Sequence, residues 1–167
     1  MKAITDKLSG IYIYQKSRKR LKKANVVLDF PVKAKEIRNA LIIFPRGSDH
    51  SDDTRRFVKE IKKYYESWSV EIFEVDKISE ADLNILKLPN QSITKKISEA
   101  NFGLVIDLND RFDKVNAFLA AMSGAAYRIS FNNDDQPYFN MQCSSGRNSH
   151  EFFFQPLFNY LQRLFIK

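Results

Sequence analysis

A Rossmann-like α/β fold is what this sequence predicts: a three-layer sandwich with a mostly parallel sheet of about five strands, preceded by a basic N-terminal helix. Three observations carry the prediction. From residue 39 onward, short apolar runs alternate with segments of helical period. The connections between them are short, and the basic charge collects ahead of the first strand. Strands and helices that alternate in this way build a parallel sheet covered on both faces, with right-handed crossovers.

The chain divides into a basic arm, residues 1–38, and a single domain, residues 39–167. In the arm, Ile4, Leu8 and Ile11 recur at helical spacing with Tyr12 and Tyr14 beside them, which predicts an amphipathic helix over 2–23. "ALIIF" at 40–44, bounded by Pro45 and Gly47, is an apolar run suited to a strand buried on both faces. A helix over 51–68 follows, with Phe57, Val58, Ile61, Tyr64, Tyr65 and Trp68 in register behind Ser51, Asp52 and Asp53, residues that suit a helix start. "SVEIFEV" at 69–75 alternates as a strand, and the stretch up to Asn90 is irregular, with Pro89 marking a turn. Residues 92–100 form a helix that leads into "FGLVIDLNDRFDKVNAFLAAMSGAAYRISF" at 102–131. That segment divides into a strand ending at Asp107, an amphipathic helix capped by Asp110 and closed at Ser123-Gly124, and a second strand. A last strand at 138–143 and a closing helix at 151–166, with Pro156 in its first turn, complete the domain.

Composition limits the function classes. The 167 residues, 44% apolar with 14 Phe and 7 Tyr, fill one ordinary core. No apolar run reaches the roughly 18 to 20 residues that cross a bilayer, and the Met1-Lys2 start lacks a secretory h-region. A soluble cytoplasmic protein is expected, peripheral at the inner face of the cytoplasmic membrane if the arm binds there. The single cysteine, Cys143, excludes an internal disulfide and a multi-thiolate metal site, and is expected as a small buried hydrophobe. The glycines form neither GxGxxG nor GxxxxGK[ST], so no dinucleotide or ATP cofactor is expected, and no metal is expected either.

Charge is concentrated in the arm. Residues 1–40 hold eleven basic side chains against three acidic ones, a net +8 that leaves −1 for residues 41–167 of the whole-chain +7. "KSRKRLKK" at 16–23 places Lys16, Arg18, Lys19, Arg20, Lys22 and Lys23 as candidates for binding phosphate-bearing partners. Three settings suit it: a solvated helix docked on the body, an anionic membrane surface and, less favoured, RNA. Tyr12 and Tyr14 precede the basic run and do not interleave with it, unlike a single-strand binding platform.

In a doubly wound sheet, ligands meet the loops at the carboxyl ends of the strands. The loop after the first strand, Pro45-Arg46-Gly47-Ser48-Asp49-His50, therefore holds the foremost candidates. Asp49 beside His50 suits a base, or a cation site with Asp52 and Asp53. Equally, acids in this position cap a helix and complement its dipole. Asp107 at its strand end is the third candidate for proton chemistry. Arg46, Ser48 and Arg128 are candidate binding residues.

"VIDL" at 105–108, "MSGA" at 122–125 and Arg128-Ile129 together resemble the corresponding segment of family 9 glycosyltransferases, the ADP-heptose lipopolysaccharide heptosyltransferases. Small single-domain bacterial proteins with a basic arm and a C-terminal "YL" helix are similar as well. The resemblance is convincing over about 30 residues and looser, by order of elements, from about 39 to 167. It implies the acceptor-side half of a two-domain transferase, with Asp49 in the position of the base that activates the acceptor hydroxyl. The nucleotide-sugar half has no counterpart in a chain of this length. Two functions follow as expectations: a degenerate, non-catalytic binding module whose arm contacts an anionic surface, a protein partner or a second copy; or an acceptor-side half, active in hexosyl or heptosyl transfer only with a nucleotide-sugar-binding partner.

Overall fold

A computed structural model describes residues 2–24, 28–47, 51–132, 137–143 and 152–167. The central sheet is parallel, in the order β3-β2-β4-β5-β6. Its strands are β2 (Asn39–Ile43), β3 (Ser69–Phe73), β4 (Leu104–Asp107), β5 (Tyr127–Ser130) and β6 (Met141–Gln142). The helices are α1 (Lys2–Ala24), α2 (Ser51–Tyr64), α3 (Gln91–Glu99), α4 (Lys114–Ser123) and α5 (Gln155–Leu164). The Rossmann-like α/β class, the five-stranded sheet and the leading basic helix are all present.

Alternation along the strands separates two cores. Ala40, Ile42, Leu104 and Ile106 face α2 and α5, which contribute Phe57, Ile61, Leu157 and Leu161. Leu41, Ile43 and Val105 face the other way, toward Ile97 of α3 and the apolar residues of α4. Because both faces of β2 and β4 are covered, their sequences are continuous apolar runs.

Helix α4 differs from the amphipathic helix expected. All nine residues from Val115 to Ser123 are buried, so it has no solvent face. The reason is α1, which lies across the side of α4 turned away from the sheet. Ser9, Ile13, Ser17 and Leu21, four apart, form the buried row of α1. The Tyr12 and Phe118 rings meet at 6.2 Å. Arg20 Nη1 donates to the Met122 carbonyl at 3.1 Å, placing a cation at the C-terminal end of α4, where the helix dipole favours it. The Ser9 hydroxyl donates to the Leu86 carbonyl, and that of Ser17 to the Ile13 carbonyl.

The docked row is not the one spacing singled out. Leu8 and Ile11 point outward, 50% and 48% exposed, and Tyr14 is 51% exposed. The inner face instead alternates serine with a large aliphatic residue, so two helices approach closely with the aliphatic side chains filling the gaps.

Two further differences concern the ends of elements. A two-stranded parallel sheet, β1 (Val32–Lys33) with β7 (Phe165–Ile166), was not expected. The closing helix therefore stops at Leu164, because Phe165 is drawn into an aromatic cluster with Phe30, Trp68 and Tyr127. At its other end the helix starts at Gln155, where Pro156 needs no hydrogen-bonding partner for its nitrogen. Likewise α2 ends at Tyr64; Trp68 beyond it stacks on Tyr65 at 3.8 Å and donates to the Ala34 carbonyl.

Ile13→Ala is expected to destabilise the whole domain by about 2 to 5 kcal/mol, since it opens a cavity between α1 and α4. Ile11→Ala is expected to stay within about 0.5 kcal/mol. Urea denaturation of the two variants checks the difference.

Candidate functional site

The chain enters the sheet at β2, passes to β3 on one side and crosses to β4 on the other. The strand order therefore reverses between β2 and β4, and the crevice at their carboxyl ends is where ligands of this architecture sit. Asn109 occupies that crevice. Its Oδ1 accepts from the Arg46 amide at 3.0 Å, and its Nδ2 donates to the Phe44 carbonyl at 3.3 Å and to Asp107 Oδ1 at 2.7 Å. One 6%-exposed side chain thus ties the loop after β2 to the loop after β4.

Above it, Arg46 forms a latch across three loops. Its Nε donates to Asp113 Oδ2 and its Nη1 lies 3.5 Å from Asp76 Oδ1, while the Gly47 amide donates to Asp76 Oδ2 at 2.7 Å. Gly47 adopts φ +80, in the left-handed region where glycine is unstrained. Asp113 has a second task, with Oδ1 capping α4 by accepting from the Val115 and Asn116 amides. The cap is therefore Asp113 and not the exposed Asp110, three residues too early. Around the latch lie three small cavities of about 260, 250 and 200 Å³. A larger cavity, about 490 Å³, lies at the opposite end of the sheet between Lys33, Tyr64, Tyr65 and Lys167, away from the strand carboxyl ends.

Asp107 lies beneath the crevice, 1% exposed. Three donors converge on its Oδ1: the Asn109 amide at 3.1 Å, Asn109 Nδ2, and Asn116 Nδ2 at 2.9 Å. Burial nonetheless pushes the carboxyl up to about 7, opposed by those hydrogen bonds and helped slightly by the charge of Asp113. The Asn116 Oδ1 is buried with no hydrogen-bond partner among the described residues. A proton on Asp107 adds the kind of donor this cluster lacks. The group can hold or release a proton near neutrality, but as placed it has almost no surface to offer a substrate.

The other sequence candidates are scattered. Ser48, Asp49 and His50 lie outside the described residues, as does the side chain of Lys23. Arg128 is 1% exposed beneath the β5–β6 connection, donating from Nε to the Tyr138 carbonyl and from Nη1 to the Ala125 carbonyl. Lys16, Arg18, Lys19 and Lys22 stand exposed on α1, with Arg20 half-buried against α4. Cys143 is half-buried just after β6, its thiol pushed up by burial to about 11, so it stays protonated and unreactive. Among the described residues, no group of three His, Cys, Asp or Glu is placed to hold a metal ion, and no helix is long and apolar enough to cross a membrane.

Asn109, Asn116 and Asp76 escaped the sequence reading. Asn116 did leave a signal: it is a lone amide in an otherwise apolar helix, where a polar side chain has to find an internal partner. Asp76 left none, because its partners come from a loop 29 residues away.

The sign of the Asp107 contribution follows from its raised value. An unfolded aspartate titrates near 3.9, so the contribution is fully present below about pH 4 and is lost as pH rises through about 7. Asp107→Asn keeps an acceptor for the three donors and carries no charge to bury. Its stability advantage over the wild type should therefore grow between pH 5 and pH 8, by about 2.5 kcal/mol. Paired urea denaturations at the two pH values measure this; an advantage that does not grow with pH contradicts it.

Neither a curated protein nor a solved structure matches the chain significantly. Residues 11–164 match DUF6913, a family of unknown function. That match takes in the second half of α1 together with the entire central sheet, and on it the chain belongs to that family.

Proposed function

We propose that the protein is a non-catalytic binding module, a Rossmann-like scaffold whose basic helix α1 contacts an anionic surface or partner. The observation that carries this reading is the unpaired charge on α1. The side-chain ion pairs among the described residues all belong to the body, on Arg46, Lys77, Lys87 and Lys95. Arg18, Lys19 and Lys22 stand exposed on α1 with no acidic partner among the described residues. Cations at the C-terminal end of a helix complement its dipole, but that accounts for one or two of them and not for a run. The crevice points the same way, since Asn109 and the Arg46 latch occupy its middle with the chain's own groups and leave only small cavities around them among the described residues.

A second reading draws on Asp107. A carboxyl that titrates near 7 at a strand end has the proton affinity of a general base. On the resemblance to heptosyltransferases, the chain would then be an acceptor-side half that requires a partner to supply the nucleotide sugar. Opening of the Arg46 latch would have to expose Asp107, or Asp49 would have to act in its place.

The binding reading is tested on immobilised heparin at low salt. Arg18→Glu, Lys19→Glu and Lys22→Glu combined should elute at much lower salt than the wild type, with a melting temperature lowered only slightly, through the charge reversed at the C-terminal end of α1. Equal elution contradicts the reading. Sugar transfer from a nucleotide sugar by the chain alone contradicts it too.

A further inference from the structure

Taking the reading of α1 as the contact surface as its basis, we infer that the anionic partner is a lipid bilayer. It is met by a two-part face: Leu8, Ile11, Tyr14 and Ile85 enter the interface, and Arg18, Lys19 and Lys22 meet the headgroups.

The outer row of α1 runs Leu8, Ile11, Gln15, Arg18, Lys22, at spacings of three and four that keep one side of the helix. Its first half is apolar and its second half cationic. The opposite row, Ser9 to Leu21, is already buried against α4, so the helix lies flat on the body and presents the outer row along its length.

A second element presents an apolar side chain next to the same stretch. Ile85 is 93% exposed, the most exposed large hydrophobic residue among those described. It sits at the tip of a closed turn. The Leu86 and Leu88 amides donate to Asn84 Oδ1, the Lys87 amide donates to the Asn84 carbonyl, and the Asn84 amide donates to the Leu88 carbonyl. Lys87 takes φ 57 to close it. A turn held by four hydrogen bonds does not fold its tip back onto the core. The bond from Ser9 Oγ to the Leu86 carbonyl ties this turn to the start of α1, one residue from both Leu8 and Ile85.

The chemistry of the patch selects among anionic partners. RNA phosphates reward the cations but give nothing to Leu8, Ile11 or Ile85, and bases stack on rings, of which the patch has only Tyr14. A folded protein rewards apolar residues that fill a complementary pocket; these project singly from a helix side and a turn tip. A bilayer interface accepts convex aliphatic protrusions without a matching pocket, and draws lysine and arginine to anionic headgroups. Both halves of the row then have a use.

The experiment is cosedimentation of the full chain with vesicles of phosphatidylcholine, with and without about one third phosphatidylglycerol, at about 50 and 300 mM salt. The wild type should pellet with the anionic vesicles at low salt and not with the neutral ones. Leu8→Gln combined with Ile11→Gln, which leaves the charge unchanged and touches nothing in the docked row, should lower partitioning about tenfold or more. Ile85→Gln should lower it further when added to that pair. Partitioning that ignores all three substitutions overturns the inference. So does failure to bind anionic vesicles while heparin binding persists, an outcome that leaves the binding-module reading standing and points to RNA or a protein. Failure on both vesicles and heparin overturns the two together.

Discussion

The contact between α1 and α4 is the constraint on which the other parts of the chain depend, because α4 brings no polar side of its own. Its sequence from Val115 to Ser123 is apolar apart from Asn116 and Ser123, and every one of those residues is buried. The sheet covers one side, α3 another, and α1 the side turned away from the sheet. A helix that is apolar all round is stable only in a core. Ile13, Leu21 and Tyr12 complete that core, and Arg20 adds a cation at the C-terminal end of α4. The arm is therefore part of the folded unit, and whatever its outer side binds is held rigidly against the sheet.

The same rigidity reaches the strand ends. Asp113 caps α4 with one oxygen and holds Arg46 with the other, so the seating of α4 sets the position of the latch over the crevice. Asn116, one turn into α4, donates to Asp107 at the end of β4. A buried polar network of this kind is stable when its members are satisfied and costly when they are not. Here one acceptor, Asn116 Oδ1, has no partner among the described residues, beside a carboxyl whose proton affinity burial has raised. The crevice thus contains its own ligands, and the outward charge lies on the far side of the layer formed by α1.

Much of the fold was legible because periodicity reports burial. The runs at 40–44 and 104–106 are apolar without interruption because both faces of β2 and β4 are covered, and the helical spacing of Phe57, Val58 and Ile61 marks the single buried face of α2. Where two layers stack outside the sheet, periodicity failed. Leu8 and Ile11 look like a docking face, yet Ser9 and Ser17 take that place because close helix approach favours small residues. The β1–β7 pairing was not legible, since two-residue strands leave no pattern and their partners are over a hundred residues apart. Of the site, Asp107 was visible as a carboxylate ending an apolar strand. Its partners were not, because Asn109 and Asn116 acquire their meaning only when β2, β4 and α4 come together.

Native-state hydrogen exchange tests the central claim most directly. If α1 is the cover of α4, the amides of Ile13, Ser17 and Leu21 should exchange through the same opening as those of α4 and β4, with matching free energies and matching denaturant dependence. Fast exchange throughout α1 while α4 keeps its protection would contradict the account, because α4 would then be stable without the helix that covers it.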